Sequence, residues 1–214
     1  VPHQLQQAGA LQTVTDRHSW RAAYEPQYQH WQQQPQPVLS QVTLDVEFIP
    51  TQHMASIQAE LTLTNPHTQP LKQLLLGWPD PAFRLADLQQ LSVHQGRLQQ
   101  QDKELQQFIY QFEQPLAPGA STTLSLQLQI RQTGLAPLQF QQMIRPDFSY
   151  LRLWQLLPQA GFISELRLKD AQTRAHYGLA PLPDSELKPS VQSATATPAN
   201  ARYDWVQLDT RLKV

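Results

Sequence analysis

The chain has 214 residues, with 16 Lys and Arg against 17 Asp and Glu, a formal net charge of −1, and no cysteine. Near-neutrality removes the electrostatic case for nucleic acid or an anionic lipid surface as partner. Lack of Cys excludes disulfides and thiolate metal sites, and no stretch approaches the roughly 20 apolar residues that cross a bilayer.

The N-terminus, Val1-Pro2-His3-Gln4, has neither an initiator Met nor a signal-peptide pattern and reads as the start of a segment of something longer. Residues 1–37 read as a helical arm and linker. Trp20, Tyr24, Tyr28 and Trp31 recur at spacings of four, four and three, which aligns four rings along one helical stripe. Such a stripe is expected to pack the arm onto the domain rather than to serve as a ligand platform. Asp16 is placed as the N-cap, and Pro26 is expected to kink the segment or to begin a second helix. Gln32-Gln33-Gln34-Pro35-Gln36-Pro37 then breaks helix and leads into extended chain.

From Val42 the period changes to two. Val42, Leu44, Val46 and Phe48 alternate with Thr43, Asp45 and Glu47, and Ile57, Ala59, Leu61 and Leu63 repeat the pattern up to the turn residues Asn65-Pro66-His67. Further strands are predicted at residues 71–78, 91–94, 108–112, 122–130, 138–144, 150–157, 162–169 and 204–212. About ten short strands separated by Pro, Gly and Asn turns predict an all-β fold over residues 38–214, an antiparallel sandwich or saddle behind a short N-terminal helical arm. The stretch from 183 to 202 is rich in Ser, Thr, Ala and Pro and predicts an exposed loop. The chain stops on a strand at Val214, as expected of a domain followed by another. The 36 glutamines, spread along the whole length, supply uncharged polar surface rather than a low-complexity tract.

Catalytic patterns are missing. The histidines at 3, 18, 30, 53, 67, 94 and 176 never fall two to four residues apart, so none forms the local pair of a zinc site. H-E-x-x-H, G-x-S-x-G and glycine-rich phosphate loops do not occur. Asp45 and Glu47 share a strand face and could act as acid and base, but an alternating strand presents such residues as a solvated outer face. No catalytic, cofactor-binding or metal residue is assigned. Phe148, Tyr150, Trp78, Trp154 and Trp205 could form an aromatic platform for sugar or peptide, although rings in strands more often fill a sandwich core. Trp78, beside Pro79-Asp80-Pro81, is expected to be the most exposed of them.

Several separated blocks resemble, in order, the N-terminal β domain of bacterial aminopeptidase-N-like zinc metallopeptidases, and more particularly the subset joined to an ABC-type permease. They are Tyr24-Glu25-x-x-Tyr28, Pro35-Gln36-Pro37, the strand from Val42 to Pro50, Leu63-x-Asn65, and Pro115-Leu116-Ala117-Pro118-Gly119. Leu157-Pro158-x-x-Gly161-Phe162, Glu165-Leu166, Arg174-x-x-x-Gly178-Leu179 and Tyr203-Asp204 to Val214 follow. The resemblance covers about residues 20–214. It implies a non-catalytic accessory domain facing the extracytoplasmic, periplasmic side and packed against a catalytic domain that would begin beyond Val214. Zinc would be held there and by no cofactor site of this chain, and the partners would be that domain and the membrane-tethering permease. Leu157-Pro158, with Asp147, Phe148, Ser149 and Tyr150 upstream, stands where the family carries the residue that binds the substrate amine, and no such residue is recognisable here. A free-standing sugar- or peptide-binding sandwich and a protein-interaction module of a transporter are the alternatives.

Overall fold

The computed structural model describes residues 14–79, 85–132, 142–183 and 206–214. Helix α1 (Val14–Tyr28) runs into a 3-10 turn at Gln29–Gln33 and is followed by strands β1 (Val38–Ile49), β2 (Met54–Thr64), β3 (Leu71–Gly77), β4 (Leu88–Val93), β5 (Gly96–Asp102), β6 (Gln107–Leu116) and β7 (Ser121–Arg131). Next come β8 (Gln142–Ile144), β9 (Ser149–Leu151), helix α2 (Leu153–Leu156), β10 (Gln159–Ala160), helix α3 (Ala171–His176) and β11 (Gln207–Lys213). The strands form a five-stranded sheet in the order β11-β1-β2-β7-β4, a four-stranded sheet β10-β3-β6-β5, and the separate pair β8-β9. Every described pairing is antiparallel except β1 with β11, which is parallel.

The alternation that marks β1, β2 and β7 in sequence becomes rows across the sheet. Val42, Leu61 and Leu124 stand side by side, as do Leu44, Ala59 and Leu126, then Val46, Ile57 and Leu128. All nine are buried against Leu74, Leu76, Phe108, Tyr110 and Phe112 of the four-stranded sheet. That second sheet is covered on its other face as well. Leu75 and Ile109, out of phase with their neighbours, pack with Tyr24, Tyr28, Trp31, Phe162, Ile163 and Leu166. The uninterrupted Leu74-Leu75-Leu76 run is thus the mark of a strand buried on both faces. The order of layers is five-stranded sheet, four-stranded sheet, helix.

Helix α1 is seated by polar contacts from distant segments. The Tyr24 hydroxyl accepts the Ile163 N–H at 2.8 Å, and Trp20 Nε1 donates to the Glu104 carbonyl at 2.7 Å. Tyr28 donates to Asp102 at 3.0 Å; burial, with that carboxylate second, pushes its own pKa well above the ordinary phenol value. Glu25 receives both terminal nitrogens of Arg174, at 2.7 and 2.9 Å, and both side chains are buried. Arg174 also donates to the carbonyls of Leu168 and Ala180, so four of its five N–H groups are used. The aromatic stripe is core, as expected.

Several expectations are corrected. Asp16 lies inside α1 rather than at its cap, and the helix continues through Pro26, converting to 3-10 only after Tyr28. The predicted strand 150–157 ends at Leu151 and turns helical, because the Leu157 N–H closes onto the Leu153 carbonyl. The predicted strand 162–169 is a 3-10 turn at Ser164–Leu166, whose apolar residues face α1 instead of alternating between two sheets. Trp78 is not exposed but 1% accessible, its indole N–H donating to the Leu156 carbonyl at 2.8 Å and its ring edge-on to Phe108. Residues 138–141, 184–202, Tyr203, Asp204 and Trp205 lie outside the described residues, and with them nearly all of the predicted exposed loop.

Candidate docking surface

The surface that stands out is built by the β8-β9 pair and α2. Its inward side is fixed to the core: Ile144 is fully buried, Leu156 and Leu157 join the same cluster, and Leu151 and Leu153 pack against it. His53, in the left-handed region at φ 51°, anchors the pair from the β1-β2 turn. Its Nδ1 lies 3.0 Å from the Ile144 carbonyl, its carbonyl accepts the Gln132 N–H, and Gln132 Oε1 accepts the Ile144 N–H at 2.9 Å. On the far side, β10 pairs with Gly77 and Leu76. The Gly161 N–H donates to the Leu75 carbonyl at 2.8 Å, and Gln36 Oε1 accepts the Leu75 N–H. Gly161 has φ +81°, a conformation that favours glycine, and a Cβ there would meet Gln36 Cγ at 3.0 Å, close enough that Gln36 would have to shift.

On this fixed base the outward residues are large and apolar. Phe148 is 56% exposed, Tyr150 42% and Trp154 55%. Arg145, Asp147 and Arg152 are exposed around them, and Arg152 Nε reaches the Tyr150 hydroxyl at 3.3 Å. Aromatic residues and arginine on a rigid support are the composition of a protein-protein contact. Here the expectation of a core role for the rings fails for three of them and holds for Trp78. The exposure follows from the switch to helix at Leu153, which turns Trp154 outward while Leu153 and Leu156 stay on the core.

The other candidates remain apart. Asp45 is exposed and Glu47 pairs with Lys213 at 2.6 Å. Together with Ser56, Gln58 and Arg211 they line an open groove of about 340 Å³ on the polar face of the five-stranded sheet. Among the described residues no group of three or more His, Asp or Glu is placed to hold a metal ion, and no helix is long and apolar enough to cross a membrane.

No protein-family model and no curated protein matches the chain. Among solved structures it is similar to a two-domain M1 zinc metallopeptidase mutant bound to L-arginine, at 17% identity over 58% of this chain and 29% of that one, with a TM-score of 0.39. A two-domain M1 zinc metallopeptidase mutant bound to L-tryptophan gives 16% identity, 64% and 31% coverage, and a TM-score of 0.39. An M1 zinc metallopeptidase mutant from Deinococcus radiodurans gives 17%, 64% and 30%, and 0.36. The chain spans under a third of the length of each of these.

Proposed function

We propose that the chain is the non-catalytic N-terminal accessory domain of an aminopeptidase-N-like zinc metallopeptidase of the kind joined to an ABC-type permease. In this reading the arm of residues 1–37 and the β domain of residues 38–214 dock, through Phe148, Tyr150 and Trp154, on a catalytic domain that holds the zinc. The permease portion tethers the whole at the extracytoplasmic, periplasmic face.

The observation that carries the reading is that the sequence blocks of the resemblance meet as contact pairs. Tyr24 stacks on Phe162 with ring centroids 5.3 Å apart, and Glu25 binds Arg174. Asn65 donates to the Leu116 carbonyl at 2.9 Å and its backbone bonds Gly119 and Ala120. Short motifs gathered by chance have no reason to complete one another across so many residues. The test is the reading frame around this chain and the protein it encodes. H-E-x-x-H with a downstream Glu, one bound zinc and cleavage of aminoacyl-anilides are expected of the longer protein, and neither zinc nor cleavage of the 214-residue chain. One tightly held zinc in the short chain would overturn the proposal. So would a longer frame with membrane spans and no H-E-x-x-H, which would make the domain a transporter's interaction module.

The exposure of Phe148, Tyr150 and Trp154 also favours a second reading, a sugar- or peptide-binding sandwich. Saturable quenching of Trp154 fluorescence by an oligosaccharide or peptide, abolished in Trp154→Phe, would establish it.

A further inference from the structure

β11 is an edge strand among the described residues, pairing with β1 on one side only. It is exposed from end to end, with Leu208 57%, Leu212 69% and Val214 91% accessible. Val42 stands beside Leu208, Leu44 beside Thr210 and Val46 beside Leu212. Leu208, Thr210 and Leu212 therefore share the core-facing side of the sheet, while Asp209 and Arg211 share the polar side with Thr43 and Asp45. The second sheet covers Val42, Leu44 and Val46, but the leucines of β11 extend past that cover. Edge strands are ordinarily blunted by proline, a bulge, extreme shortness or charged side chains, and of these β11 has only the charges of Asp209, Arg211 and Lys213. β11 has seven residues, no proline and an unbroken register with β1.

Residues 206–214 read Val-Gln-Leu-Asp-Thr-Arg-Leu-Lys-Val. The segment is self-complementary about Thr210. When two copies are set antiparallel on a two-fold axis through Thr210, Leu208 faces Leu212, Asp209 faces Arg211, Gln207 faces Lys213 and Val206 faces Val214. Symmetry gives each unlike pair twice. Slipping the axis to residue 209 sets Asp209 against Asp209, and slipping it to residue 211 sets Arg211 against Arg211, so both neighbouring registers place like charges at the centre. An offset by a single residue would oppose apolar to charged side chains on each face. In the lone copy the donors to Asp209 among the described residues are amides, Gln41 at 3.3 Å and Gln207 at 3.1 Å, and a guanidinium across the axis is a stronger donor.

We propose that β11 is a self-association edge on which a second copy of this chain pairs antiparallel about Thr210, joining two five-stranded sheets into one. The inference stands independently of the accessory-domain reading. A single strand-to-strand contact is small beside a standard interface, so the dimer is weak and concentration-dependent.

Sedimentation equilibrium of the 214-residue chain across a wide concentration range tests it. A monomer-dimer equilibrium is expected. Arg211→Asp and Asp209→Arg should each raise the dissociation constant roughly tenfold or more, because two cross-strand ion pairs become like-charge pairs. The combined Asp209→Arg, Arg211→Asp chain should return close to the parent value, since the exchange restores both pairs. The unfolding midpoint of Asp209→Arg, measured alongside, should stay at the parent value, whereas the two variants carrying Arg211→Asp set a second carboxylate beside Asp45 and are compared at concentrations where each remains folded. A parent chain that stays monomeric throughout, single variants that associate as well as the parent, or a double variant as weak as the singles would each overturn the proposal.

Discussion

Two rows of aromatic residues in this chain meet opposite fates. In α1 and the turn after it, Trp20, Tyr24, Tyr28 and Trp31 lie on the second core, with Trp20 stacked on Tyr24 and Tyr24 on Tyr28 and Phe162. Through β9 and α2, Phe148, Tyr150 and Trp154 stand in solvent. The difference lies in the polar tips. Trp20, Tyr24 and Tyr28 reach partners 84, 139 and 74 residues away, whereas among the described residues the Tyr150 hydroxyl meets Arg152, two residues on. Remote partners serve the hydroxyl or indole N–H of three rings in the buried row, while the fourth, Trp31, is buried with its Nε1 unpaired among the described residues. Among the described residues the exposed row has no such remote partner, and the proposed docking role rests on that exposure.

If that contrast is sound, substitutions on the two rows should separate by several-fold in urea unfolding. The largest loss is expected from Glu25→Ala, about 3–5 kcal/mol, because it strands the Arg174 guanidinium in a buried site. Glu25→Leu combined with Arg174→Met should recover part of that, since it removes the unpaired charge but leaves the Leu168 and Ala180 carbonyls without the Arg174 donor. Tyr24→Phe leaves the buried Ile163 N–H without its acceptor and should cost about 1–3 kcal/mol. Trp154→Ala and Phe148→Ser should lie within about 0.5 kcal/mol of the parent, as exposed positions do. A Trp154→Ala loss equal to that of Tyr24→Phe would erase the distinction between the rows.

The smallest effect concerns Asp170, the N-cap of α3. The Thr173 hydroxyl and then its backbone N–H, at 2.7 and 2.6 Å, hold the Asp170 carboxylate below its ordinary value. A depressed carboxylate contributes stability that is complete above the unfolded-state value and is lost as pH falls through the folded one. Asp170→Asn should therefore flatten the fall in stability below about pH 4, without altering its pH dependence near neutrality.

The strands legible in sequence include those with one wet and one dry face, and also β3 and β6 of the doubly covered sheet, which fall on the predicted 71–78 and 108–112. β1, β2 and β7 were found by alternation to within a few residues. β5 was not predicted, since an edge strand reading Gly-Arg-Leu-Gln-Gln-Gln-Asp has a single apolar residue and carries no period. Only the turn before it, with Gln95 at φ 54° ahead of Gly96, marked it. The segment 162–169 was read correctly as apolar but wrongly as a strand, because its partner is a helix and its burial follows that helix. α3 was missed although Asp170-x-x-Thr173 and Gly178 are start and stop marks. The docking surface was the least legible part. Sequence ranks Trp78, beside Pro79-Asp80-Pro81, as more exposed than Trp154, and the turn to helix at Leu153 together with the Leu156 carbonyl that binds Trp78 reverses that order.

The measurement that bears most directly on the docking face is hydroxyl-radical footprinting of the 214-residue chain beside the longer protein proposed to contain it. In the short chain, Phe148, Tyr150 and Trp154 should oxidise readily while Tyr24, Tyr28 and Trp31 are protected. In the longer protein both rows should be protected. Equal oxidation of Phe148, Tyr150 and Trp154 in the two would contradict the docking role, and protection of that row in the short chain would contradict the surface itself.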